Sequence, residues 1–548
     1  MCLTRPEAQP IIAVGGVESG SLTVIPGSLR PLRRVFRTLI AVSGLIVLLV
    51  ASSAPERTAE ATTAYSFGIE NSWIRVQNVG SGNANVEVDY FDEQGRVAGK
   101  DTCPSPTCPV LYPGSGWTFF QRDNAGLPPG FQGSAVVSTD QPIVAIMAKD
   151  VLRGSSFAIA GDTVTTGPGS HRLYLPITAK RDGPLKDWMG RFAIQNMSDT
   201  VVACVTITYL SNYTDGEIGW EPYKPSASGV ARLPGCPNGG MPLPPRATIF
   251  RDPDTMPIAD GFTGSVRIDL HKNAANQGTD KQFISATADT WNRLSSPFAS
   301  YRALDEGELG TDIILPLIDR QVGPANSYST HFQIENKDPT RPARVSLRFD
   351  GFDLGESPPQ FVSKTNTITV RGARLCFQDR DDFANCLADG EKLPSNFVGT
   401  VRLTSNEPIG VIVNRGTALG DTFTNYRGIR PADGARRVLL PVLNKNYGSV
   451  PGVGAGWNSW FRVMVADGGR ANVTVRYFGL DLPGGNVGYT VSVDREFTVF
   501  QYLESMLPNG FAGTAIIESD RPIVALANLT TDVFRGDPDL LYNGVPLD

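Results

Sequence analysis

The apolar positions of this chain alternate; they do not recur at helical spacing. The stretch "WIRVQNVGSGNANVEVDYFDEQG" from Trp73 sets Ile74 and Val76 on one face, passes a polar turn, and enters a second alternating run that ends in an aromatic residue. Period two predicts a half-buried β-strand, and two such runs around a polar turn predict a hairpin. The same arrangement returns as "RFAIQNMSDTVVACVTITYLSNYTDG" from Arg191, "HFQIENKDPTRPARVSLRFDGFDLGE" from His331 and "WFRVMVADGGRANVTVRYFGLDLPGG" from Trp460. Phe192 with Ile194, Phe332 with Ile334, and Phe461 with Val463 are the core-facing pairs expected of the later copies. No segment carries a convincing amphipathic helical pattern.

A second marker follows each hairpin. "LPPGFQGSAVVSTDQPIVAI" at Leu127 and "LPNGFAGTAIIESDRPIVAL" at Leu507 agree at eleven of twenty positions. "LPSNFVGTVRLTSNEPIGVIV" at Leu393 is a weaker copy, and "GFTGSVRIDL" at Gly261 is a fourth whose partner run is displaced by the polar insertion "HKNAANQGTDKQ". Phe131, Phe262, Phe397 and Phe511 each stand two residues before a glycine. A third marker joins the units: "HRLYLPITAK" at His171, "TDIILPLIDR" at Thr311 and "RRVLLPVLNK" at Arg436. A Leu-Pro inside an apolar run suits an edge or first strand, where the missing proline N–H costs no ladder bond. These markers predict a fourfold repeat at residues 65–168, 169–306, 307–432 and 433–548, after an N-terminal region of residues 1–64.

The repeated string is expected to be architecture and not a duplicated active site. Gly130 and Gly133 supply backbone freedom, and Asp140 and Asp520 belong to the turn between the two strands. In the third copy Asn406 stands at that place. Asn replaces Asp in a turn but not in acid–base chemistry.

Composition agrees with many short strands and turns: 57 Gly and 41 Pro, 41% hydrophobic and 19% charged residues. Units of about 105 to 140 residues with this texture have the size of a two-sheet β-sandwich. The chain after residue 65 resembles bacterial exported cell-surface proteins built of tandem immunoglobulin-like or fibronectin-like β-sandwich repeats. It lacks the Cys and Trp spacing of antibody domains, so the resemblance is one of architecture. It implies an all-β fold of four tandem immunoglobulin-like sandwiches, in a stalk, an adhesin or a binding module; a rod or string of units is the leading arrangement, with a compact cluster as the alternative.

Charge removes one class of partner. The net charge of −6 is spread thinly, and the one dense basic cluster is Arg30, Arg33, Arg34 and Arg37, so nucleic acid is not an expected partner. That cluster precedes the apolar run at residues 38–54, the pattern of a secretory signal with cleavage after Ala54, Ala61 or Ala64, or of an uncleaved signal anchor. The membrane is then a partner only through this segment, and the expected location is extracellular or cell-surface. Beyond it six cysteines fall into neighbouring pairs, Cys103 with Cys108, Cys204 with Cys236, and Cys376 with Cys386, as disulfides formed in an oxidising compartment would.

Recognised catalytic signatures are absent: there is no HExxH, P-loop, GxSxG or EF-hand loop, and His171, His271 and His331 lie in different regions of the repeat. No catalytic residue, cofactor or metal ligand is therefore assigned. The acidic loops at Asp252 and Asp254 and at Asp379 to Asp382 are of the oxygen-rich kind that holds calcium, with solvated turns as the alternative. Trp117 and Trp220, at turns and insertions, are the candidate ligand-contact aromatics, since an exposed ring stacks on a sugar or anchors a protein. Trp73 and Trp460 match in position and are expected at a boundary. The expected function is that of a non-enzymatic exported scaffold for adhesion, envelope structure or extracellular-matrix contact. The partner would be an envelope or extracellular polysaccharide or a surface protein. A carbohydrate-binding array is the alternative, and an unrecognised glycoside-active enzyme the third reading.

Overall fold

Where the alternation is strong, the chain is strand. The computed structural model describes residues 69–548 apart from 165–168, 213–216, 221–235, 237–239, 272–282, 324–327, 379, 381–383, 389, 418–419, 480–481, 483–484 and 548. The expected signal or anchor run and its cleavage sites lie outside the described residues. Within them the fold is all-β and multi-domain, with helical turns as short as Gln121–Asp123, Pro431–Asp433 and Gln501–Leu503. No helix among them is long and apolar enough to cross a membrane.

The second repeat shows the plan. Its first strand, Arg172–Asp182, pairs antiparallel with the Phe-x-Gly strand Phe262–His271, which pairs with the third strand Ala203–Ser211. The second strand Trp188–Asn196 pairs with the return strand Ile284–Asn292, and that strand with the last one, Phe298–Arg302. The inward faces of these two layers meet in a core containing Leu173, Leu175, Phe192, Ile194, Tyr209, Phe262, Val266 and Tyr301. In the third and fourth repeats the Phe-x-Gly and return strands are continuous, Phe397–Thr417 and Phe511–Thr531, and cross from one layer to the other. The core-facing pairs Ile74 with Val76, Phe192 with Ile194, Phe332 with Ile334, and Phe461 with Val463 are all buried.

The Phe-x-Gly motif has a steric cause. A Cβ on Gly133, Gly264, Gly399 or Gly513 would lie 2.0, 2.1, 2.3 or 2.1 Å from a carbonyl oxygen of the third strand, and the preceding phenylalanine ring folds over the same glycine. This differs from the turn role expected of Gly133. The turn role belongs to the residue just before the phenylalanine. Gly130, Gly261 and Gly510 have φ of +77°, +86° and +83°, and the third copy uses Asn396 at +62°.

The Leu-Pro marker sits inside the first strands and not at their ends. In the third and fourth repeats the ladder slips between Leu315 and Ile318 and between Leu440 and Leu443, so Pro316 and Pro441 fall where no N–H is required. The proline carbonyls are used instead. Arg462 Nε donates to Pro316 O at 2.7 Å, and Arg75 Nε donates to Pro441 O at 3.0 Å, tying each first strand to the next repeat around.

The repeats do not follow one another as a string. Arg535–Asp537 of the fourth pairs in parallel with Ser156–Ala158 of the first, so the two share a sheet. Trp73, Ile146, Ala148, Phe157 and Ile159 of the first repeat belong to the fourth repeat's core; Leu526 and Leu541 of the fourth belong to the third's, and Ile412 of the third to the second's. The last strands close the circuit. Ser156–Thr163 packs against Phe298–Arg302 and Asp539–Asn543, and Phe423–Arg427 packs against the same two.

Candidate functional site

Closure of the circuit brings buried polar groups from all four repeats to a shared centre. Asp537 Oδ2 accepts the backbone N–H of Phe298 and of Phe423, both at 2.9 Å, so one carboxyl joins the second, third and fourth repeats. Arg427 is the counterpart. Its Nε donates to Asp162 Oδ2 at 3.0 Å, Nη1 to Glu308 at 2.8 Å and Nη2 to Thr163 Oγ1 at 3.0 Å. Its backbone N–H and C=O are both taken by Asn543, at 2.9 and 2.8 Å. Asp162 Oδ2 also accepts Arg302 N–H at 3.2 Å. A second network spans the first two repeats, where Lys149 and Arg191 share Asp289 at 2.8 and 2.7 Å and Arg191 reaches Glu70 at 2.5 Å.

Burial sets the ionisation of these groups. Burial alone raises the Glu308 carboxyl, but Arg302 and then Arg427 outweigh it and bring it to about 2. Asp289 is likewise held below the ordinary carboxylate range by Lys149 and Arg191 against its burial. Asp537 goes the other way: burial pushes its carboxyl well above the ordinary range, and the two backbone N–H groups offset only part of that. Burial also lowers the imidazole of His331 to about 4, with Arg380 adding to it. Asp537, Glu308 and Asp289 each bond across to a neighbouring repeat, whereas His331 meets Asn414 of its own. The arrangement ties neighbouring repeats to one another through buried hydrogen bonds and ion pairs.

The residues singled out by sequence are dispersed. Cys103–Cys108, Cys204–Cys236 and Cys376–Cys386 are bonded. Trp117 is half-buried against the first repeat's core, and Trp220 pairs through its backbone with Thr208. Asp254 is neutralised by Arg181 at 2.5 Å; Asp379, Asp381 and Asp382 lie outside the described residues. No cluster of three or more His, Cys, Asp or Glu suited to a metal occurs among the described residues. His171 stacks on Phe283 at 4.9 Å, His331 on Phe377 at 4.8 Å, and His271 meets Thr206 Oγ1 at 2.8 Å, three separate places. Trp73 and Trp460 do stand at boundaries: Trp73 is in the fourth repeat's core cluster, and Trp460 packs against the third's.

The turn residues behave as their interchange requires. Asp140, Asn406 and Asp520 each accept a backbone N–H at the start of the third strand, from Asn85 at 2.8 Å, Arg344 at 2.6 Å and Asn472 at 2.9 Å.

Sequence reasoning missed two repeated devices. Tyr301, Tyr426 and Tyr542, on the last strands, donate to the carbonyls of Ile177, Leu317 and Val442 at 2.6, 2.5 and 2.6 Å and accept the N–H of the same residues. Each acceptor directly follows the proline of a Leu-Pro pair, so the tyrosine ties last strand to first. The motif signal was present as "YR", "YR" and "YN" at one place in three units. The second device is the asparagine ending the second strand. Asn78, Asn196 and Asn336 donate to two or three carbonyls of the adjacent loops, including Leu111 O, Leu243 O and Arg371 O.

Exposed apolar side chains lie elsewhere. Phe352 and Phe361 form an edge-on pair with centroids 5.7 Å apart, and Phe500 and Tyr502 a tilted pair at 5.6 Å beside the exposed Leu503.

Fold and site together define an all-β protein of packed sandwiches joined through a buried polar centre. No protein-family model matches the chain, and no curated protein matches it. Among solved structures the chain is similar to one described as "Crystal Structure of Thermotoga maritima 1070", at 17% identity and a TM-score of 0.14, over 19% of this chain and 97% of that one.

Proposed function

We propose that this protein is a non-enzymatic exported scaffold, a set of four sandwiches held to one centre that works by displaying its loops and edges at or beyond a cell surface. The observation that carries the reading is the use made of buried charge. Arg427, Asp162, Glu308, Asp289 and one oxygen of Asp537 are engaged in bonds between repeats, which tie the repeats to one another. Three disulfides, spanning 5, 32 and 10 residues, support passage through an oxidising compartment. The partner would be an envelope polysaccharide or a surface protein. Incubating the oxidised protein with isolated envelopes and insoluble polysaccharides tests this. Saturable retention without any release of soluble sugar is expected, and catalytic release of sugar or peptide would overturn it.

A carbohydrate-binding reading is favoured by one specific feature, the exposed aromatic pairs Phe352 with Phe361 and Phe500 with Tyr502. Trp117 and Trp220 are the other aromatics this reading would use. Phe500→Ala combined with Tyr502→Ala is expected to abolish sugar-competed retention if this reading holds, and to leave retention unchanged if the contact is made elsewhere.

A further inference from the structure

Three joints set the second strand of one repeat against the first strand of a neighbour, and equivalent positions at these joints can be matched through a shared hydrogen bond. The residue that follows the second strand, Val79, Lys337 or Ala466, donates its backbone N–H to a proline carbonyl of the return segment, Pro142, Pro408 or Pro522, at 3.0, 3.0 and 2.9 Å. Between the third and fourth repeats this place is filled by an apolar cluster of Ile314, Ile429, Met464, Ala466 and Val524. Between the second and third the matching residues are Tyr174, Leu304, Glu335, Lys337 and Gly410.

Charge at two of these positions leaves the joint open. Tyr174 and Leu304 still pack with Leu309, but Glu335 and Lys337 stand where the apolar joint has Met464 and Ala466. The result is a cleft of about 400 Å³, lined by Arg172 and Arg267 of the second repeat and by Lys337, Asp338, Arg341 and Pro408 of the third. A cavity of this size suits a small ligand or a short piece of a chain-like one.

Four cations and one carboxylate face that space, and each cation is anchored by an acid. Arg172 and Arg267 both give Nε to Asp269, Arg267 at 2.9 Å. Lys337 Nζ meets Glu306 at 2.6 Å, and Arg341 meets Asp338 through Nε at 3.0 Å and Glu407 through Nη2 at 3.3 Å. Asp269, Glu306 and Glu407 are not part of the lining, so the cleft itself presents positive charge. The other repeats treat the two arginine positions differently. The third has Asp312 and Arg402, which pair with each other at 2.8 Å, and the fourth has Arg437 and Ile516. Two arginines that share one aspartate leave the second repeat with a surplus of positive charge at the cleft wall.

We infer that this cleft binds an acidic sugar, a uronate unit of an anionic polysaccharide. A guanidinium held through Nε is fixed in place and keeps Nη hydrogens for a planar carboxylate, and Lys337 adds charge beside it. Asp338 in the lining accepts protons from sugar hydroxyls and opposes a more highly charged phosphate, and Pro408 offers an apolar surface to the C–H face of a ring. The inference deepens the scaffold reading by naming the class of partner, and it rests on that reading for the presence of such a polysaccharide outside the cell.

Titration calorimetry on the full, disulfide-bonded chain with trigalacturonate tests it. Saturable binding is expected, weakened by about tenfold or more by Lys337→Ala, which installs the fourth repeat's residue, and by Arg341→Gln, whose side chain is largely exposed. The fully methyl-esterified trisaccharide should be inert, a control that does not depend on either variant folding. Four results would overturn the inference: no binding of trigalacturonate; equally tight binding of the ester; wild-type affinity in both variants; or displacement of the sugar by inorganic phosphate at equal concentration, which would make the cleft an anion site without selectivity for sugar. Absence of trigalacturonate binding with retention on envelopes intact would sink this inference and leave the scaffold reading standing, whereas binding of trigalacturonate without retention would do the reverse.

Discussion

Arg427 and Asp162 meet at 3.0 Å although 265 positions separate them in sequence. The pair joins the last strand of the third repeat to that of the first, and both side chains are almost wholly enclosed. A buried pair of this kind contributes little over a well-packed apolar pair, but losing one partner strands the other without solvent.

Arg427→Ala should therefore cost about 3–5 kcal/mol, because it leaves the enclosed Asp162 carboxylate without its cation and Glu308 with Arg302 alone. Chemical denaturation of the wild type and the variant checks the magnitude. A change within about 0.5 kcal/mol would show that the centre is not a closed, water-free site.

Glu335→Gln should stabilise the protein near neutral pH. The Glu335 carboxyl is raised well above its ordinary value of 4.5, by burial first, with Arg267 and a hydrogen bond to Ser265 opposing and Asp269 assisting. A raised carboxyl contributes stability that is fully present below the ordinary value and is lost as pH rises through the folded one. Thermal unfolding followed from acid to neutral pH should fall in the wild type and run flatter in the variant. The first and second repeats already place Gln77 and Gln195 at this position.

Tyr426→Phe removes a hydroxyl that both donates to Leu317 O and accepts Leu317 N–H, leaving two buried backbone groups unsatisfied. A loss of about 1–3 kcal/mol is expected in urea titration, with similar losses for Tyr301→Phe and Tyr542→Phe. A neutral result at all three would mean that the tie between last and first strands is dispensable.

Removing residues 535–548 takes away Arg535–Asp537, the partner of Ser156–Ala158, and the last strand of the fourth repeat. Limited proteolysis should then cut within the first repeat, more than 300 residues upstream of the deletion. Independent repeats on a string would leave that region as resistant as before.

Much of this architecture was legible because strand alternation and turn chemistry are local. Ile74 with Val76 and their three counterparts face the core because period two leaves them no other side, and Asp140, Asn406 and Asp520 share one turn task that the Asp-to-Asn interchange disclosed. The pairing of cysteines followed from their neighbourhood in sequence. Gly133 was misread as a turn glycine, since its reason is the carbonyl of Phe91 on an adjacent strand, which no local pattern contains.

The sequence by itself determined the all-β class and which residues face inward, because both depend on the spacing of side chains along one strand. Tertiary structure alone decided that the fourth repeat returns to the first and that Asp537 serves two other repeats. Those outcomes depend on which buried donor finds which acceptor hundreds of residues away, and a repeat pattern that is nearly the same in all four units does not encode that choice.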